Sequence, residues 1–381
     1  MRIAFITETW PPQVNGVALT VHTLAQGVAA RGAQVEVVRP GADGREGRLE
    51  MVSARGVAIP RYPEMQFGLP AGNALRRRWS AQRPHAVYIA TEGPLGGSAM
   101  RAANALGIPV ISGFHTRFDD YASHYGVGLL APLVRSHLLG FHRRAQVTLV
   151  PTMALQTELL DAGIGHVQKL RRGVDTRLFK PQRRDPALRK RWGVHEDAPA
   201  LLCVGRIAAE KNLDVALQAF RALHARVPAT RLIMVGDGPR REALANACPD
   251  VLFVGTKRGE ELAAHYASAD LFLFPSLSET FGNVVLEAMA SGLPLVAFDH
   301  AAAREHVTDA VCGRIVPASD NRAFITATYQ LGTQREARRM MGDNALIASR
   351  SCTTEAMLGE FDSLLHDLVS ELPHDHFRTA A

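Results

Sequence analysis

The chain has 381 residues, 47% of them hydrophobic and 21% charged, with 32 Gly and 21 Pro; this is ordinary globular composition at a length beyond one typical core, so two domains are expected. Its four cysteines (Cys203, Cys248, Cys312 and Cys352) stand far apart without a C-x-x-C pair, which argues against a zinc site or disulfide framework and fits a reducing cytosolic setting. Net charge is +6, but residues 1–174 hold 19 basic and 11 acidic side chains and residues 175–381 hold 24 and 26, so a basic first half must be matched to nucleic acid, an anionic membrane or a phosphorylated substrate.

Met1 is followed at once by the strand-like run Arg2-Ile3-Ala4-Phe5-Ile6, which leaves no room for a signal peptide. No later apolar run approaches the roughly 20 residues of a membrane span, so a soluble or peripheral chain is expected. Strands are predicted over 3–7, 34–38, 86–90, 109–113 and 146–150, with Val17, Val21, Leu24 and Val28 at helical spacing and Gly32 as the helix stop. A second series follows over 200–204, 231–235, 251–254, 271–274 and 295–297, with helices over 213–227 and 283–291 between them. Alternation of this kind predicts α/β architecture with two doubly wound sheets. Gly173 to Pro181 and the charged run 182–191 read as the linker. After Ala318 the pattern is helical, ending in an amphipathic helix over 353–369 and a frayed tail over 374–381.

The loops between these elements carry the chemistry. Pro11-Pro12-Gln13-Val14-Asn15-Gly16 follows the first strand, and Gly16 suits a close backbone approach to a phosphate. His115, in Gly113-Phe114-His115-Thr116-Arg117, also follows a strand, where a lone histidine is most often structural. Arg206 and Lys211, in Gly205-Arg206-Ile207-Ala208-Ala209-Glu210-Lys211, lie at a carboxyl sheet edge and offer a planar fork and a point charge for phosphate oxygens. Gly236-Asp237-Gly238-Pro239 is a tight strand-to-helix turn. The run from Pro275 to Ala288 places Glu279 in a loop and Glu287 inside the following helix. Amides from Phe281 through Gly282, Asn283 and Val284 to Val285 are expected to face an anion, while carboxylates accept from sugar hydroxyls. Taken singly, each charge is equally a solvated loop or helix residue. Two phosphate-seeking cations with two hydroxyl-seeking carboxylates on one sheet edge suit a diphosphate carrying a sugar at each end. Asp299, His300, Glu305 and His306 lack zincin spacing and read as a surface helix end. Gly126 to Ala131 matches a dinucleotide fingerprint only as a string, because no strand precedes it and Pro132 follows, so NAD is not expected.

In these motifs the chain resembles the retaining glycosyltransferases of family 4 over nearly its whole length, through the E-x7-E spacing of Glu279 and Glu287 and the Gly205-Arg206 to Glu210-Lys211 run. The resemblance implies a GT-B fold of two facing Rossmann-like domains. Residues 1–174 would bind the acceptor and 175–357 the nucleotide-sugar donor, with a terminal helix of about 358–381 crossing back to the first domain. It implies that Arg206 and Lys211 hold the donor diphosphate, Glu279 the transferred sugar and Glu287 the ribose. Gly16, Gly236, Asp237 and the Phe281 to Val284 backbone would line the nucleotide, and His115 would bond the reacting sugar. Retention would come from front-face attack, without a nucleophilic carboxylate, metal or cofactor. GDP-mannose is the favoured donor and a UDP-sugar the alternative; epimerase, phosphorylase and non-catalytic binding functions are more remote. The acceptor is expected to be a lipid or glycan, with no nucleic acid. Arg76-Arg77-Arg78-Trp79 and Arg143-Arg144, near Leu138-Leu139-Gly140-Phe141, become candidates for docking on the inner face of the cytoplasmic membrane.

Overall fold

Ile3, Ala4, Phe5 and Ile6 are all fully buried, as expected of a strand covered on both faces of a parallel sheet, where unbroken apolar runs replace alternation. The computed structural model describes residues 1–13, 15–59, 62–115, 131–195 and 198–370 and divides into two units, Met1–Arg171 with Met357–Ala381, and Arg172–Ala356. In the first unit eight strands form one sheet in the spatial order Val167–Lys169, Val147–Val150, Val110–Gly113, Ala86–Ile89, Arg2–Ile6, Gln34–Pro40, Leu49–Ala54 and Gly44–Glu46. All pair in parallel except the last two. Alternate residues feed two cores. Ile3 and Phe5 meet Val21, Leu24 and Val28 of helix Gly16–Ala30, whereas Ala4 and Ile6 meet Trp79, Leu95 and Ala99. Asn15 caps that helix by accepting from the Ala18 amide at 2.8 Å, and Gly32, at φ +97°, follows its end as predicted.

The last helix, Thr354–Ser370, completes the first unit's core. Phe361 is fully buried, edge-on to Tyr88 at 5.4 Å and to Phe5 at 6.2 Å. Leu358 fills the space over Gly27, where a Cβ would stand 2.3 Å from Leu358 Cδ2.

The second unit holds six parallel strands in the order Val251–Gly255, Arg231–Val235, Ala200–Val204, Leu271–Phe274, Leu295–Phe298 and Gly313–Val316. Strand order reverses between Ala200–Val204 and Leu271–Phe274. Helix Leu213–His224, after the former, joins the core of Leu201 and Cys203; helix Val284–Ala290, after the latter, joins the core of Leu202, Phe272 and Phe274.

Three expectations change. The run 182–191 is not a linker: it forms the turn Pro181–Arg183 and helix Pro186–Arg191 of the second unit. Its charges are engaged, since Arg184 and Arg189 both pair with Asp270 at 2.8 Å. Arg172, Gly173 and Val174, assigned to the first domain from the sequence, belong with the second, where the Val174 amide donates to Cys352 O at 2.9 Å, and Met357, assigned to the second, belongs with the first. Leu138, Phe141 and Trp79 are core residues, Leu139 is partly buried against the cluster of Phe114 and Leu155, and Arg78 pairs with Glu36 at 2.8 Å, so most of the apolar part of the expected membrane face is internal. The fingerprint-like 126–130 and the tail 374–381 lie outside the described residues. Among the described helices, none is long and apolar enough to cross a membrane.

Because Phe361 closes the ring cluster over the central strands, Phe361→Ala should destabilise the first unit by about 4 kcal/mol through lost burial and a cavity, read from the shift in urea midpoint of that unit's transition.

Candidate active site

The reversal in the second unit leaves the carboxyl ends of Ala200–Val204 and Leu271–Phe274 side by side with their connections diverging, which is where open α/β sheets take ligands. Gly205, at φ +147°, turns the chain out of the first of these strands. Arg206 follows, and the turn Ala209–Lys211 then brings Lys211 back over the edge. This loop is buttressed by Gly236-Asp237-Gly238, because the Ile207 amide donates to Asp237 O at 2.9 Å and the Arg240 amide to Ile207 O at 3.0 Å. The contact requires glycine at 236: φ is +139° and a Cβ would come within 1.9 Å of Gly205 O. Asp237 itself accepts from the Gly238 amide and pairs with Arg241 at 3.0 Å.

From the neighbouring strand, Glu279 reaches Lys211, with Oε1 2.6 Å from Nζ and both side chains about one-sixth exposed. Arg206 stands 3.5 Å from the buried Glu210 carboxylate, and the Ser278 hydroxyl donates to Glu210 O at 3.1 Å. The two predicted cations and the first predicted carboxylate are thus brought to one sheet edge. His300, read from sequence as part of a surface helix end, does stand at the start of helix Ala301–His306, half-buried, but it also touches the site. It follows strand Leu295–Phe298, adjacent to Leu271–Phe274, and its Nε2 accepts the Glu279 amide at 3.4 Å. Two residues on, the Ala302 amide donates to Phe281 O at 2.8 Å, so the segment after one strand holds the loop after the next. Among the described residues, no group of three or more His, Cys, Asp or Glu is placed to hold a metal ion.

Gly282, at φ +93°, lies over the Phe274 ring, which a Cβ would meet at 2.8 Å; Phe281 is buried and Asn283 and Val284 open the helix. The stretch of amides expected to face an anion is shorter than the sequence suggested, because the Val285 amide donates to Gly282 O at 3.1 Å. Ser276, 2% exposed, is a further residue missed by sequence reasoning: among the described residues its hydroxyl has no hydrogen-bond partner. Glu287, one turn into the helix, accepts from the Tyr266 hydroxyl at 2.7 Å. Burial pushes its carboxyl up to about 7, against that hydrogen bond. Burial and the Glu287 charge hold the Tyr266 phenol well above its ordinary range, so it remains a donor.

In the first unit, strand order reverses between Arg2–Ile6 and Ala86–Ile89. His115, after Val110–Gly113, has Nε2 2.6 Å from the Tyr88 hydroxyl, and Gly113 leaves room for both, since a Cβ there would come within 2.5 Å of each. Residues 116–121 of that loop lie outside the described residues. Gly16 begins helix Gly16–Ala30, with the Ala18 amide already taken by Asn15. Sequence reasoning missed Glu8 and Glu92, which follow the two strands of this reversal. The Leu95 amide donates to Glu8 at 3.1 Å, and Glu92 pairs with the buried His142 at 3.2 Å. Burial pushes the Glu8 carboxyl up to about 7, against the Leu95 hydrogen bond and with the Glu92 charge. Their only sequence signal is a carboxylate placed just after an apolar run.

Two doubly wound units, one with cations and carboxylates at its strand-order reversal, define a protein of the GT-B class. Sucrose-phosphate synthase from Thermosynechococcus elongatus shares this fold, with a TM-score of 0.79 at 20% identity over 97% of this chain and 100% of that one. The sequence profile of the group 1 glycosyl transferases matches residues 198–334, and that of glycosyltransferase family 4 matches residues 14–178. A GDP-mannose-dependent α-mannosyltransferase of Mycobacterium tuberculosis (strain CDC 1551 / Oshkosh) is 35% identical over 84% of this chain and 85% of its own. A sulfoquinovosyl transferase of Arabidopsis thaliana is 33% identical over 65% of this chain and 49% of its own. The chain belongs to glycosyltransferase family 4 and is a glycosyltransferase.

The raised Glu287 carboxyl has a stability consequence. Its folded value of about 7 exceeds the ordinary 4.5, so the neutral group is accommodated without cost below about 4.5 and stability is lost as pH rises through 7. Glu287→Gln should therefore raise the melting midpoint of the second unit at pH 8 by on the order of 5 °C, a gain that shrinks towards zero near pH 4.5 in calorimetry.

Proposed function

We propose that this glycosyltransferase moves a mannosyl group from GDP-mannose to a hydroxyl of a lipid or glycan acceptor, keeping the α configuration. The observation that carries the reading is the Lys211–Glu279 pair, 2.6 Å apart at the strand-order reversal, in a chain whose relatives include a GDP-mannose-dependent α-mannosyltransferase. A cation for a diphosphate and a carboxylate for sugar hydroxyls are then neighbours, as the two ends of the scissile bond require. Arg206 and Lys211 bind the diphosphate oxygens, and Glu279 the hydroxyls of the transferred sugar. Glu287 binds the ribose, the Gly236-Asp237 turn and the Phe281 to Val284 backbone line the nucleotide, Gly16 offers a backbone approach, and His115 bonds the sugar.

In the reaction the bond from the anomeric carbon to the diphosphate breaks. The acceptor oxygen bonds to that carbon on the same face, and the acceptor proton passes to the departing phosphate oxygen. Catalysis then rests on stabilising the negative charge that develops on the leaving group, which Arg206 and Lys211 are placed to do. For a lipid acceptor, the exposed Arg76, Arg77, Arg143 and Arg144 would meet an anionic surface by charge, since most of the apolar residues near them are internal.

Incubation with GDP-mannose and with UDP-glucose tests the donor. Release of GDP from the former is expected, and turnover of the UDP-sugar alone overturns the mannose reading. Lys211→Ala should lower transfer by about 100-fold or more with an unchanged circular dichroism spectrum. Activity retained in that variant removes the diphosphate role.

A further inference from the structure

Tyr266 lies in helix Gly259–Ser268 and is fully buried in the apolar core of Phe179, Ala263, Ala269 and Phe272. Phe179 meets its ring edge-on at 5.6 Å, and Phe272 lies tilted against it at 5.7 Å. Every one of these neighbours would accept phenylalanine equally well, so the packing does not explain the hydroxyl. What the hydroxyl does is donate to Glu287 Oε2 at 2.7 Å. The ring is clamped, so the position of its hydroxyl oxygen is fixed, and the carboxylate oxygen it binds is held with it.

We infer that Tyr266 is a positioning residue for nucleotide recognition, holding Glu287 by one oxygen so that the other is presented to the ribose diol. The inference rests on the ribose role proposed for Glu287. A glutamate on a helix has three rotatable side-chain torsions, and ordering them on binding costs free energy that a preset carboxylate avoids. A preset plane also matters because two adjacent hydroxyls donate to a carboxylate best when its orientation matches theirs. The hydrogen bond also favours the charged form, working against the burial that leaves this carboxyl at about 7.

The test is calorimetric binding of GDP and UDP, each beside its 2′-deoxy form, to the full chain and to Tyr266→Phe, which keeps the ring and its packing. The unaltered chain should prefer the ribonucleotide by roughly tenfold, and Tyr266→Phe should reduce that preference to about threefold or less. In the Glu287→Ala background, which leaves no side-chain acceptor, the same substitution should change binding less than about twofold, because its target has gone. An unchanged preference in Tyr266→Phe, or an effect of equal size in the Glu287→Ala background, overturns the positioning role while leaving Glu287 as the ribose residue. A chain that shows no preference for ribose overturns the role of Glu287 and the inference with it.

Discussion

The divergence of two connections from adjacent strands is the constraint on which the candidate site of the second unit depends. After Ala200–Val204 the chain crosses to the face bearing Leu201 and Cys203, and after Leu271–Phe274 it crosses to the opposite face. The two following helices therefore lie on opposite faces, and the loops carrying Arg206, Lys211 and Glu279 meet at the sheet edge between them. The backbone makes this meeting close. Gly236 lets the next loop rest directly on Gly205, and the hydrogen bonds of Ile207 to its neighbours keep the Arg206 loop from swinging away.

The groups that suit a ligand are each held by the protein. Lys211 is held by Glu279, Arg206 by Glu210, Glu279 by His300 through its amide, and Glu287 by Tyr266. Partly exposed ion pairs add little to stability, so the value of these contacts lies in placement. Donors and acceptors that are already oriented need not reorganise when charge develops. The buried carboxyl of Glu287 is the least comfortable member, and its neighbourhood trades some stability for a fixed acceptor.

The sheets were legible in the sequence wherever a strand is covered on both faces, because Ile3 to Ile6, Leu201 to Val204 or Leu271 to Phe274 must then be apolar at every position. Some strands at or near a sheet edge gave no such run: Val167–Lys169 has one apolar residue, and Gly313–Val316 begins with glycine and arginine. Leu49–Ala54 alternates too briefly to stand out. The positions of Arg206, Lys211, Glu279 and Glu287 on one sheet edge could be read because each sits a fixed step beyond an apolar run. Their partners could not be read so easily. Tyr266 meets Glu287 from 21 residues away, and Arg184 meets Asp270 from 86. A charge run such as 182–191 looks solvated until its distant partner is known, and Leu138 and Phe141 look available for a membrane until the sheet beneath them is seen.

The helix Thr354–Ser370 returns the chain to a unit whose other residues end at Arg171. A ribosome therefore releases every residue of the second unit before it releases Phe361, which closes the rings of Phe5 and Tyr88. During synthesis the second unit is complete as a folding unit while the first still shows an aromatic face. Completion of the first unit's core is thereby tied to the arrival of a segment that follows the whole of the second unit, although its strand Arg2–Ile6 precedes that unit by more than a hundred residues.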